Sequence, residues 1–242
     1  MKYLSSLVLV LAGTFTAVPM FAQDAPSAPK PEYPPYSAVL DGYNKVVSTA
    51  DGAKSMYTLY VKSKDGNVYA ELPPNYATKR YFFALTVASG DKYAGLQSGE
   101  MYVYWRRYNN RLALIAPDLD TRATGDPESA SSVNRLFTDS MILNVPIVTI
   151  GPGGGPVIDL DYLLVGKATK FFGPQFRNQE LMGMYKLQKA KAFPLNVELA
   201  FELPTSTGKL SSIHYSISEL SSKSGYRPRM ADERIGYFTT SY

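Results

Sequence analysis

The sequence predicts a mainly β protein, with antiparallel hairpins forming a sandwich or open barrel and little helix. Apolar-aromatic runs of strand length recur, above all Tyr81–Val87, Met101–Trp105 and Leu112–Ala116, and β-branched and ring residues dominate the first two. Turn residues separate such runs at hairpin spacing, at Asp65-Gly66, Asn109-Asn110 and Pro204–Gly208. The 242 residues include 19 tyrosines. Tyrosine suits a half-exposed sheet face, because the ring packs while the hydroxyl reaches water.

Residues 1–22 read as a signal peptide. Lys2 supplies the positive start, Leu4–Val18 the apolar stretch, and Met20-Phe21-Ala22 a cleavage-like end. The apolar stretch is shorter than the roughly 20 residues that span a bilayer, so no membrane span is expected once the signal is removed. The expected address is secreted or periplasmic. With no cysteine in the chain, a lipid-modified N-terminal cysteine and disulfides are both excluded. The formal net charge is +4; Lys2 is the only charge before Ala22, so losing it leaves +3. That is no argument for a nucleic-acid partner. Hydrophobic content of 45% and charged content of 19% are those of a globular chain.

Residues 23–36 hold Pro26, Pro29, Pro31, Pro34 and Pro35 among small and polar residues, the composition of an extended linker. Residues 37–242 then form the β-rich scaffold, either as one body or as two parts, about 37–165 and 166–242. Its first hairpin pairs Ser55–Val61 with Asn67–Leu72 across Asp65-Gly66, and Pro73-Pro74 ends it, because proline cannot donate to a ladder. Three central strands follow, joined by a loop with Gly90, Gly95 and Gly99 and by a tight turn at Asn109-Asn110. Leu119–Ser132 is polar and reads as a loop. Met141–Ile150 is β-branched but broken by Pro146, which predicts an edge or bulged strand. After Gly151–Pro156 the strand character resumes over Val157–Leu164. Gln179–Lys189 fits a helical turn or a poor strand. Leu195–Leu203 and Leu210–Ile217 close the series as a second clear hairpin.

Few residues carry reactive chemistry. Gly151–Gly155 lacks the Lys-Ser or Lys-Thr pair and the following helix that a phosphate loop needs, so it reads as a plain loop. His214 is the single histidine. One histidine does not build the usual zinc site, and no Gly-x-Ser-x-Gly elbow exposes a nucleophile for it; a packed or hydrogen-bonded strand histidine is the plainer reading. Asp118, Asp120, Asp159 and Asp161 make two Asp-x-Asp pairs. On a strand that spacing puts both carboxylates on one face, the arrangement a calcium site would use, against the plainer reading of connection residues. Arg106, Arg107 and Arg111 are either a basic patch or the solvated end of a hairpin. No catalytic, cofactor-binding or metal residue is assigned from the sequence.

Several stretches together resemble one bacterial family. They are Tyr57–Tyr60 through Asp65-Gly66 to Glu71–Pro74, Tyr81–Gly90, Val157–Asp159 with Leu163-Leu164, Ala192–Glu198 and, most specifically, Tyr226-Arg227-Pro228-Arg229-Met230-Ala231-Asp232-Glu233-Arg234-Ile235-Gly236-Tyr237-Phe238. The likeness covers roughly residues 36–242. It is to the β-rich uncharacterised region that precedes the catalytic domain of secreted bacterial zinc-dependent metalloproteases of the metzincin-like type. The resemblance implies a non-catalytic N-terminal region, cut before the HExxHxxGxxH helix that holds zinc and activates water in such enzymes. This chain has no HExxH. No zinc or catalytic residue therefore carries over, zinc is implied only for the full-length family, and the implied partner is a downstream protease domain of the same polypeptide. Arg227, Arg229 and Arg234, alternating with Asp232 and Glu233, suit a seam with that domain, which would also cover Tyr237-Phe238, against the plainer reading of a solvated tail. The alternative function is a free-standing secreted β module that binds peptide or carbohydrate. An enzyme working through His214 or the Asp pairs is a third reading.

Overall fold

The computed structural model describes residues 32–119, 121, 123, 125–177, 183–221 and 225. The signal peptide, most of the linker and the motif over residues 226–238 lie outside them. Strands take 45% of the described residues and helices 17%. The described residues from Tyr33 on belong to one compact unit.

Its elements are α1 (Tyr36–Val39), β1 (Tyr43–Lys45), β2 (Thr58–Lys62), β3 (Val68–Glu71), β4 (Arg80–Ser89), β5 (Gln97–Tyr108) and β6 (Arg111–Ala116), then α2 (Pro127–Leu136), β7 (Ser140–Ile150), β8 (Pro156–Asp159), α3 (Ala168–Phe172), β9 (Lys186–Ala192), β10 (Asn196–Pro204) and β11 (Leu210–Leu220). All eleven strands join in one antiparallel sheet, in the order β1-β2-β3-β8-β7-β6-β5-β4-β11-β10-β9. Of the two architectures expected, the sheet is the curled one, a half-barrel.

Two long strands change partner along their length. Residues 97–103 of β5 pair with β4, and residues 104–108 pair with β6. Residues 140–146 of β7 pair with β6, and β8 takes over from Ile147. Neighbouring strands are thereby staggered, and stagger is what a sheet needs to curl. At the two ends of the curl, the Met56 amide donates to the Phe193 carbonyl at 2.8 Å, and the Ala192 amide donates to Ser48 Oγ at 2.8 Å.

Alternation along the strands selects the inner face. Tyr81, Phe83, Leu85 and Val87 of β4 are buried, as are Ile213, Tyr215 and Ile217 of β11. The segment after β8 fills the concavity. Phe171 meets Tyr215 edge-on at 5.2 Å and lies parallel to Phe83 at 6.3 Å, while the Tyr215 hydroxyl donates to the Leu164 carbonyl at 2.7 Å. Burying each such ring contributes about 1.5–3 kcal/mol. The lone tryptophan, Trp105, donates its indole N–H to the buried Tyr57 hydroxyl at 3.0 Å.

Three expectations need correction. β7 is an interior strand, not an edge. Pro146 is tolerated because it sits opposite Arg111, the first residue of β6, just before pairing with β8 begins at Ile147; its missing N–H falls at the handover. The bulged alternative holds, at two places away from the proline: pairing with β6 slips between Met141 and Leu143, and pairing with β8 slips between Ile147 and Thr149. Within the expected 119–132 loop, α2 begins at Pro127. Asp126 caps it by accepting from the Ser129 amide at 2.8 Å, with proline at the first helical position. The third correction concerns Val157–Leu164, which is strand only to Asp159. The chain then makes one wide helical turn, Asp161–Val165, closed by the Gly166 amide on the Asp161 carbonyl at 2.9 Å. In the Gln179–Lys189 stretch the strand alternative holds from Lys186, where β9 starts; residues 183–185 are irregular, and residues 179–182 lie outside the described set.

Candidate functional site

The change from strand to helical turn after β8 places two carboxylates differently from what their spacing suggests. Asp159 ends the strand and caps the turn, its Oδ1 accepting from the Tyr162 amide at 2.9 Å. Asp161 is carried toward the start of β3. There Asp161 Oδ2 accepts from the Val68 amide at 2.7 Å and from Asn67 Nδ2 at 3.2 Å. Asn67 follows the β2–β3 turn, where Gly66 adopts φ +74° and stands so close to Leu187 that an added Cβ would be 3.4 Å from that residue's Cβ. Asn67 Nδ2 also donates to the Tyr185 hydroxyl at 2.8 Å, tying β3 to the approach of β9.

These groups line a pocket of about 310 Å³, walled on its apolar side by Val165, Phe176, Met184 and Leu203. Asp161 is only 7% exposed, and its Oδ1 is buried with no hydrogen-bond partner. Burial pushes its carboxyl up to about 6; the Val68 amide works against that rise, and the Asp159 charge adds to it. Burial raises Asp159 as well, against the Tyr162 amide. The Tyr185 hydroxyl is raised, first by burial and then by the Asp161 charge beside it. None of the ion pairs among the described residues involves either aspartate. The pocket thus sets two carboxylates, with no cation paired to either among the described residues, beside an apolar wall.

His214 lies on β11, opposite Ala200 of β10 and Thr86 of β4. Its Nε2 is 2.7 Å from Glu198 Oε2, an ion-pair separation at an angle poor for a hydrogen bond. Ser216 Oγ donates to Glu198 Oε1 at 2.7 Å, and Asn196 Nδ2 donates to the same oxygen at 2.7 Å. Serine and histidine therefore both turn to the glutamate. In a nucleophilic triad the hydroxyl must instead donate to the imidazole.

Asp118 is not among the residues that line the pocket. The Asp118 amide donates to Asp139 Oδ1 at 3.2 Å, and Asp118 Oδ1 accepts from the Thr121 amide at 3.2 Å; Asp120 lies outside the described residues. Among the described residues, no group of three or more His, Cys, Asp or Glu is arranged to hold a metal ion. No described helix is long and apolar enough to cross a membrane.

The three hairpin arginines bond into the fold. Arg106 donates to the Tyr104 hydroxyl at 2.8 Å, Arg107 to the Asn109 carbonyl at 2.7 Å and to the Tyr33 hydroxyl at 2.9 Å, and Arg111 to Asn144 Oδ1. Gly151–Gly155 is a closed hairpin loop, with the Gly151 amide on the Gly155 carbonyl at 2.7 Å. A Cβ on Gly151 would strike Glu71 Oε1, and one on Gly155 would strike the Leu72 carbonyl. Close approach to the end of β3 explains the glycines. The residues Arg227, Arg229, Asp232, Glu233, Arg234, Tyr237 and Phe238 lie outside the described set.

The profile of DUF5117, a domain of unknown function, matches residues 95–242. The chain belongs to that family. The matched DUF5117 segment takes in β5 through β11, and with them Asp159, Asp161, Tyr185 and His214, whereas Asn67 and β1–β4 precede it. Comparison with curated proteins finds no match, and comparison with solved structures finds none.

Sequence reasoning singled out Asp159 and Asp161 but missed Asn67 and Tyr185. Asn67 has the look of a turn residue, and Tyr185 sits in a stretch without periodicity. The pocket is made from positions far apart along the chain.

Proposed function

We propose that this chain is the non-catalytic, exported β scaffold of a secreted zinc-dependent metalloprotease, and that its partner is the protease domain of the same polypeptide. The sequence resemblance supports the family context. One structural observation supports the non-catalytic role: His214 and Ser216 are both committed to Glu198, so the one histidine of the chain serves a strand-face network and not a nucleophile. The purified chain is expected to retain no stoichiometric zinc after dialysis and to leave casein intact, while the gene read past the Tyr242 codon reaches an HExxH in frame. Near-stoichiometric zinc with proteolysis that survives repurification, or a stop codon directly after Tyr242, overturns this reading.

A second reading is a secreted β module that binds a small ligand or peptide side chain. The pocket at Asp161 favours it, because it joins a buried acidic oxygen to an apolar wall in a volume within the range of ligand sites.

A further inference from the structure

The pocket between β3, the turn after β8, and the starts of β9 and the β10–β11 connection is built for one kind of guest. Its apolar side is Val165, Phe176, Met184 and Leu203. Its polar side is Asp161, whose Oδ2 is held by the Val68 amide and Asn67 while Oδ1 is buried without a partner. Asp159 stands close enough to raise the proton affinity of Asp161. The fold therefore buries one carboxylate next to another and supplies no cation from the described residues. Lys167, which does not line the pocket, places its Nζ 5.1 Å over the Tyr162 ring.

Asp161 Oδ2 has the Val68 and Asn67 N–H groups and Tyr185 stands beside the carboxylate, but its charge has no cation among the described residues and one oxygen has no donor. A buried charge left in that state is costly, and a protein keeps one chiefly where something arrives to pair with it. Carbohydrate does not fit this demand, since a neutral hydroxyl leaves the charge uncompensated. A calcium ion wants six to eight oxygens, whereas Asp161 Oδ2 already accepts two N–H groups and the surrounding wall is apolar.

We propose that the pocket binds a primary ammonium group on an alkyl stem, with the Asp161 carboxylate receiving the ammonium and Val165, Phe176, Met184 and Leu203 packing the stem. A lysine side chain of a peptide and a free alkylamine share this chemistry. The Tyr185 hydroxyl, beside the carboxylate and bonded to Asn67, acts as a positioning group that fixes the amide of Asn67 and with it Asp161. This assignment stands whether or not a protease domain accompanies the scaffold.

Calorimetric titration of the purified chain at pH 7.5 tests it, with n-butylamine, Nα-acetyl-lysine amide, 1-butanol and calcium chloride as probes. Saturable binding of n-butylamine is expected, at least tenfold tighter than 1-butanol and at least tenfold weaker in Asp161→Asn. Binding of Nα-acetyl-lysine amide as well assigns the site to a peptide side chain; binding of n-butylamine alone assigns it to a free amine. Equal binding of n-butylamine and 1-butanol, no binding of either amine, or uptake of calcium alone overturns the proposal. The comparison of n-butylamine with 1-butanol needs only the unaltered chain, so it decides the matter even if Asp161→Asn fails to fold.

Discussion

Asp161 sets a pH dependence that can be worked out in sign. Its carboxyl is pushed up to about 6 in the folded chain, from 3.8 when unperturbed. Between those values the folded state holds a proton that the unfolded state has lost, so its contribution to stability is fully present below about pH 4 and is lost as pH rises through 6. The groups facing it are the Val68 amide and Asn67 on one side, and Asp159 and Tyr185 on the other. Two pKa units correspond to roughly 3 kcal/mol. Asp161→Asn keeps the shape without the charge, and it is expected to melt with the parent near pH 4 but several degrees above it at pH 7.5. Thermal unfolding followed at the two pH values measures the difference. A variant no more stable than the parent at pH 7.5 would sink the assignment.

At the level of single elements, the glycine hairpin between β7 and β8 is the sharpest case. Gly155 lies directly against the Leu72 carbonyl, and backbone on both sides of that contact is held by the Leu72 amide bond to the Pro156 carbonyl at 3.0 Å. Gly155→Ala is expected to cost about 2 kcal/mol or more by forcing that ladder apart, whereas Gly153→Ala, with open space around it, should cost under about 1 kcal/mol. Urea midpoints of the two variants give the contrast, and equal midpoints would refute it. The elements also show where a sequence is readable. β4, β10 and β11 were plain in the text because alternate residues face a single core, and period two survives any neighbour. The helix α2 was hidden because its short apolar row, Ala130, Val133 and Leu136, is diluted by serines and buries no residue; Asp126-Pro127 is the plainer sign of it. Asp161 was misplaced because its spacing from Asp159 fits a strand, and nothing local reveals that the chain turns helical one residue earlier. The pocket needs residues 67, 161, 185 and 203 together, and no window of sequence contains them.

On the scale of the whole sheet, the partner changes in β5 and β7 divide the ladder into three blocks. β1, β2, β3 and β8 with the end of β7 form one; β6 with the halves of β5 and β7 that face it forms the second; β4, β9, β10 and β11 with the start of β5 form the third. Amide hydrogen exchange is expected to report three protection levels that follow these blocks and not the hairpins of the chain. A single uniform level across the sheet would count against the division. β5 and β7 then work as splints. Each is gripped by one block at one end and by the next at the other, so a pull along either strand loads two blocks in series. A break would begin at the two splice points, near Val103 and Pro146, and the outer blocks would part from the middle one with their own ladders still whole.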